Sequence, residues 1–173
     1  MKLFSKASIA ALILALGLVS VPRNGVAQSF QAILRGTNEV PPNASPATGF
    51  STLLLVGNML QVNVQFSGLG GPATAAHIHC CSLPTANAPV NIGFAGFPNA
   101  TSGVFNAMFD LTGNATLVNG LNSGLAYVNI HSAGFPGGEI RGQISMVPEP
   151  STVVLMACGL IALGVTARRR NAA

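Results

Sequence analysis

Between residues 28 and 147, Gly, Asn, Pro, Ser or Thr interrupts the chain every few residues, and no stretch sustains the apolar spacing of an amphipathic helix. A segment broken so often buries its apolar side chains in short extended pieces. The clearest piece is 59–66. Leu60, Val62, Val64 and Phe66 alternate there with Gln61, Asn63 and Gln65, so one face is apolar and the other wetted, as in an antiparallel sheet. Gly57-Asn58 separates this run from 51–56 and suits a two-residue hairpin turn. Further extended runs fall at 30–34, 75–79, 104–111, 125–131 and 139–145. The pattern predicts an all-β domain, an antiparallel β-sandwich or partly closed barrel of about seven strands, with 84–100 as a long irregular loop. About 120 residues can bury a modest core without help.

Two apolar runs flank this domain, and the 173-residue chain divides accordingly. Lys2 and Lys6 precede an apolar stretch over 9–19, and Gly25-Val26-Ala27 supplies the small residues that a signal peptidase reads. Residues 1–27 are therefore expected to be a secretory signal peptide, cleaved after Ala27, with 28–147 as the β domain. Within the remaining segment, 148–173, residues 153–167 carry no charge and lead into Arg168-Arg169-Arg170. Fifteen helical residues cover only about 22 Å, short of the roughly 30 Å of hydrocarbon in a bilayer, but counting from Pro150 the run nearly spans it. A transmembrane helix is expected over about 151–167, with the basic tail on the cytoplasmic side and the domain facing outward.

The formal net charge of +4 comes from the ends. Inside 28–147, Arg35 and Arg141 stand against Glu39, Asp110 and Glu139. A near-neutral domain has no electrostatic footprint for phosphates, which excludes nucleic acid as a partner.

Val147-Pro148-Glu149-Pro150, a short apolar helix and an arginine cluster, in that order, closely resemble the PEP-CTERM sorting signal. The resemblance implies a Gram-negative cell envelope, recognition by an exosortase-type enzyme, and removal of the helix during export, often in bacteria that make exopolysaccharide. A second resemblance covers nearly the whole mature domain. Phe30-Gln31-Ala32 with Leu34, Gly36 and Asn38-Glu39-Val40-Pro41-Pro42 looks like the opening of a CHRD domain. Thr74-Ala75-Ala76-His77-Ile78-His79 is similar to its middle motif, and Ala126-Tyr127-Val128-Asn129-Ile130-His131 and Phe135-Pro136-Gly137-Gly138-Glu139-Ile140-Arg141-Gly142-Gln143-Ile144 to its end. The Cys80-Cys81 pair resembles a bacterial branch that is often joined to PEP-CTERM tails. This resemblance implies an extracellular β module and assigns no ligand or reaction.

Strand parity places the polar residues. His77 and His79 share a face opposite Ala76 and Ile78; Tyr127, Asn129 and His131 oppose Val128 and Ile130; Glu139, Arg141 and Gln143 oppose Ile140 and Ile144. A hairpin through the Gly- and Pro-rich segment 132–138 would bring His131 near Glu139 or Arg141. If the His77 strand lies alongside, His77, His79, His131, Glu139 and Arg141 meet on one surface. Two readings follow. In the first, these residues form a polar network in which Arg141 pairs with Glu139. In the second, His-x-His plus a distant His binds copper or zinc, with Glu139 as a ligand or holding an imidazole. His-x-His also occurs in copper-zinc superoxide dismutases, but the fuller ligand pattern with its bridging His and zinc loop is not apparent. No cofactor is expected on the first reading; copper or zinc belongs to the second.

Cys80 and Cys81 are adjacent and exported, so oxidation is expected. Adjacent Cα atoms lie about 3.8 Å apart across a trans peptide, below the usual disulfide range of about 4.4–6.8 Å. The alternatives are a vicinal disulfide capping the strand, which is favoured, thiolate ligation beside the histidines, or cross-links between chains. Cys158 lies in the C-terminal apolar run.

No nucleophile elbow, phosphate loop or dinucleotide fingerprint is present, and nothing pairs two carboxylates as a glycosidase requires. The sequence therefore reads as a non-enzymatic, exported cell-surface or extracellular-matrix module. Its expected partners are signal peptidase, an exosortase-type sorting enzyme, and exopolysaccharide or other surface proteins. Its expected contact with the membrane is the C-terminal helix before processing. The alternative is a small extracellular copper or zinc protein built on the histidines. Intact-mass measurement on protein from its native host is expected to show loss of 1–27 and, in released material, of the segment from about Pro148; an uncleaved chain in the medium would contradict both.

Overall fold

Alternation fixes which face of each strand turns inward, and the sheet curls to bring those faces together. A computed structural model describes residues 27–148 and 150–171. The signal segment lies outside the described residues except for Ala27, as does Glu149 of the sorting motif. The strands are β1 (Gln28–Arg35), β2 (Thr48–Val56), β3 (Met59–Ser67), β4 (Ala73–His79), β5 (Val90–Gly93), β6 (Gly103–Asp110), β7 (Tyr127–Ser132), β8 (Phe135–Gln143) and β9 (Ser145–Met146). They form one antiparallel sheet in the order β5-β4-β7-β8-β1-β2-β3-β6, with β9 paired to β1. The result is a curled, partly closed barrel, the second of the two expected architectures.

The 57–58 turn joins β2 to β3 with Val56 opposite Met59. Along β3, Leu60, Val62, Val64 and Phe66 are buried while Gln61 and Gln65 are exposed, as the alternation requires. Phe30, Ala32 and Leu34 of β1, Ala76 and Ile78 of β4, Val128 and Ile130 of β7 and Ile140 of β8 complete the inner face. A one-residue slip would expose every one of them. The open seam between the edge strands β5 and β6 is packed with phenylalanines. Phe94, just after β5, stacks on Phe105 of β6 with ring centroids 5.0 Å apart, and Phe97 stacks on Phe66 at 5.0 Å.

Two features depart from the sequence reading. The segment 84–100 is not wholly irregular: it contains β5, which pairs with β4 through His77–Gly93, Ile78–Ile92 and His79–Val90. Four residues, directly after Pro89, are too short a run to show alternation. The domain also contains a helix, α1 (Ala115–Asn122), where none was expected. Asn114 caps it by accepting from the Leu117 amide at 3.2 Å. Leu117 and Leu121, one turn apart, are fully buried. Eight residues containing a glycine and two asparagines have little intrinsic helicity, so the helix depends on burying those two leucines in the core.

A second helix, α2 (Pro150–Asn171), follows the sheet. Val154, Leu155, Met156, Leu160, Ile161 and Leu163 are exposed on it. Among the described residues no helix is long and apolar enough to cross a membrane.

Cys80 and Cys81 are disulfide-bonded to each other at the end of β4, through a cis peptide. The pair packs on α1 at Gly120, where an added Cβ would lie 2.2 Å from the Cys80 sulfur and 2.6 Å from that of Cys81. Gly120→Ala is therefore expected to destabilise the domain by about 1–3 kcal/mol, the usual range for overpacking, seen as a lower thermal midpoint. In a Cys80→Ser, Cys81→Ala background the penalty should shrink or reverse, since alanine exceeds glycine in helix propensity by about 1 kcal/mol.

Candidate metal centre

Strands β4, β7 and β8 lie side by side, and their second face carries the polar residues. Register sets His77 beside Asn129, Asn129 beside Arg141, and His79 beside Tyr127. This face is not the wetted surface that alternation alone suggests. The segments around 36–43 and 80–89 cover it, and Tyr127, Asn129 and Arg141 are buried.

The three imidazoles converge, with one ring nitrogen from each lying within 4.8 Å of the others. His77 Nδ1 and His131 Nε2 are 3.2 Å apart. Two of the remaining nitrogens are set by backbone carbonyls, which only accept. His131 Nδ1 donates to the Pro136 carbonyl at 3.0 Å, and His79 Nδ1 to that of Ala88 at 2.9 Å. Each donation leaves an unprotonated Nε2 on its ring, and that of His131 accepts from His77 Nδ1. On His79 that Nε2 is buried without a partner. His79 also stacks on Tyr127, centroids 4.8 Å apart and planes within 3° of parallel, so its ring cannot swing away without losing that packing. Outer hydrogen bonds that orient an imidazole are the usual support of a metal-ligating histidine.

Arg141 and Glu139 do not form the expected pair; each is saturated elsewhere. Arg141 donates through Nε to the Asn38 carbonyl, through Nη1 to Asn87 Oδ1 at 2.9 Å, and through Nη2 to the Pro84 carbonyl, with its guanidinium 4.6 Å from the Tyr127 ring centroid. Glu139 is fully buried, accepting from Ser45 at 2.7 Å, from the Gly70 amide at 2.8 Å and from Ser132. The β7–β8 register shifts between Ile130 and Ser132, which takes Glu139 out of step with Arg141. Glu139 is thus not among the side chains grouped with the histidines, and the Cys80–Cys81 disulfide removes both thiolates as ligands.

Glu39 was not singled out as a site residue, and the structure places it here. Its sequence signal was faint: a lone carboxylate beside Val-Pro-Pro. It is 5% exposed, and its Oε1 and Asn129 Oδ1 are buried acceptors without partners. Only glycine fits between them at Gly138, where φ is +130° and a Cβ would lie 2.5 Å from Asn129 Nδ2 and 2.8 Å from Glu39 Oε1. Among the described residues, the buried side-chain polar atoms without partners are thus Glu39 Oε1, Asn129 Oδ1 and His79 Nε2. His79 and Asn129 belong to this second face, and Asn129 bonds Glu39. A cavity of about 630 Å³ is lined by Glu39, Arg141, Asn38, Pro84 and Gln143, among others, and by none of the histidines.

Residues 30–144 match the CHRD domain, and residues 147–170 match the PEP-CTERM protein-sorting motif. The chain belongs to the CHRD domain family. No curated protein and no solved structure gives a significant match. The sorting motif marks the protein for exosortase-type machinery and export to the cell envelope.

Electrostatics within the CHRD domain favour neutral groups. Burial, and then the neighbouring His131 and His79, hold His77 below the usual imidazole range. Burial also lowers His79, against the Ala88 carbonyl, which raises it; His131 and Arg141 lower it further. Both rings are therefore unprotonated, and able to act as ligands, at neutral pH. Glu39 is pushed up from 4.5 to about 7 by burial, against the opposing pull of Arg141 and an Asn129 hydrogen bond. A protonated Glu39 can donate where a carboxylate only accepts, which offers Asn129 Oδ1 a partner.

The folded CHRD domain holds the Glu39 proton more tightly than the unfolded chain does. This contribution to stability is complete below pH 4.5 and is lost as pH rises through about 7. Glu39→Gln, permanently neutral, should match the native protein in thermal midpoint below pH 4.5 and exceed it by a margin that grows between 4.5 and about 7 and then levels off. His77 and His79, whose lowered values act in the opposite sense, are present in both proteins and cancel in the difference. A constant difference across pH would contradict this account of Glu39.

Proposed function

We propose that the mature domain is a non-catalytic module of the cell surface or extracellular matrix, and that its specific chemical capacity is to hold one transition-metal ion, copper or zinc, on His77, His79 and His131. The observation that carries this reading is the convergence of three ring nitrogens within 4.8 Å. A purely structural network is the weaker account, because it leaves the buried His79 Nε2 without a partner. Ligand atoms about 2.0–2.1 Å from zinc sit roughly 3.4 Å from one another, so small rotations of His77 and His131 would close the set. Imidazole donors suit copper and zinc rather than calcium or magnesium.

On this reading the signal peptide leaves during export, the apolar C-terminal segment with its arginine tail keeps the protein at the inner membrane until the sorting enzyme acts, and the domain then meets polymer or other surface proteins. The match to a CHRD domain and to a sorting signal, both non-catalytic families, supports the non-enzymatic reading.

Metal analysis of the purified protein tests the proposal. One copper or zinc ion per chain is expected after loading and desalting, with a rise in thermal midpoint because a ligand stabilises the state it binds. His131→Ala should weaken binding by more than the roughly 10–100-fold typical of losing an outer hydrogen-bond partner. Absence of bound metal and of any thermal shift in the native protein would refute the site.

A further inference from the structure

We infer that an ion held by His77, His79 and His131 keeps one coordination position for a small ligand from outside the chain, an anion of a few atoms or water, on the side of the cavity beside His77. This rests on the metal reading above.

The donor set is the first support. Among the described residues, the group of His, Cys, Asp and Glu able to share an ion there consists of the three histidines alone. Glu139 is spent on Ser45, Gly70 and Ser132, and the two nearby sulfurs are bonded to each other. Zinc takes four donors, and a site with three protein ligands fills the fourth position with water or an exogenous group.

Burial is the second. His79 is 8% exposed and stacked on Tyr127, which closes that side. His77 and His131 are half-buried, so the set opens outward past them. Beside His77 lies a cavity of about 240 Å³, lined by Thr74, Ala75, Phe94, Gly96 and Phe97. That is below the roughly 300 Å³ at which pockets for drug-sized ligands begin, and it is ample for a few atoms.

Charge is the third. Imidazoles bind as neutral donors and leave the charge of a divalent ion uncompensated, and the fixed charge that acts on His79, Arg141, is also positive. An anion is therefore the favoured occupant. Its affinity would come from the metal, since Arg141 is committed to Asn38, Asn87 and Pro84.

The test uses the purified protein loaded with Co(II), whose visible spectrum reports coordination, and titrated with sodium azide. The expected result is a saturable, one-to-one spectral change that chloride competes against. Ala75→Leu, which narrows the cavity, should, once loaded with Co(II), bind azide at least about tenfold more weakly than the native protein. A Co(II)-loaded protein whose spectrum ignores azide would overturn the inference and leave the metal site standing. A response unchanged in Ala75→Leu would overturn its placement beside His77. Failure to take up Co(II), Cu(II) or Zn(II) at all would overturn both the inference and the metal reading.

Discussion

A buried guanidinium is costly unless every donor is answered, and the closure of this fold's polar face follows from how Arg141 is answered. Its partners lie on two covering segments: the Asn38 carbonyl on one side, and Pro84 and Asn87 on the other. The Tyr127 ring packs against the guanidinium. One side chain from the middle of β8 thereby ties two distant loops down over β4, β7 and β8. Removing it would leave the carbonyls of Asn38 and Pro84 unpaired.

The histidine geometry depends on that closure. Ala88, which orients His79, lies in the segment that Arg141 anchors through Pro84 and Asn87. The Tyr127 hydroxyl also accepts from the Ala88 amide, at 3.1 Å. Tyr127 then lies between two groups, the His79 ring stacked on it and the guanidinium over it. The loop that satisfies a buried cation is therefore the loop that aims a bare imidazole nitrogen inward. A packed first ring, with two half-buried rings at the rim, is an arrangement in which binding an ion demands little reorganisation.

The same enclosure explains the carboxyl groups. Glu139 has three hydrogen-bond donors, while Glu39 sits among acceptors beside Gly138 with only partial compensation from Arg141 and Asn129. Two buried acids in one small domain thus meet opposite environments, one fully solvated by protein and the other driven toward its neutral form. His77 and His79 face the same pressure, since burial and the neighbouring charges both favour their uncharged state.

What the sequence by itself determined was local. Alternation in runs such as 59–66 set the inner face of each strand, Gly57-Asn58 set a hairpin, and parity put His77 and His79 together, because side-chain direction in a strand depends only on the residue's place along it. The sorting motif and the CHRD motifs were legible for a similar reason, being contiguous. Contacts between distant segments were not legible. The helix at Ala115–Asn122 exists because Leu117 and Leu121 find a core to enter, and the edge strand at Val90–Gly93 because β4 offers it a partner. The partners of Arg141 and Glu139, the burial of Glu39 and the meeting of His131 with His77 were decided only by tertiary structure. Each depends on which loop lies over which strand, and on a register shift between Ile130 and Ser132 that no periodicity encodes.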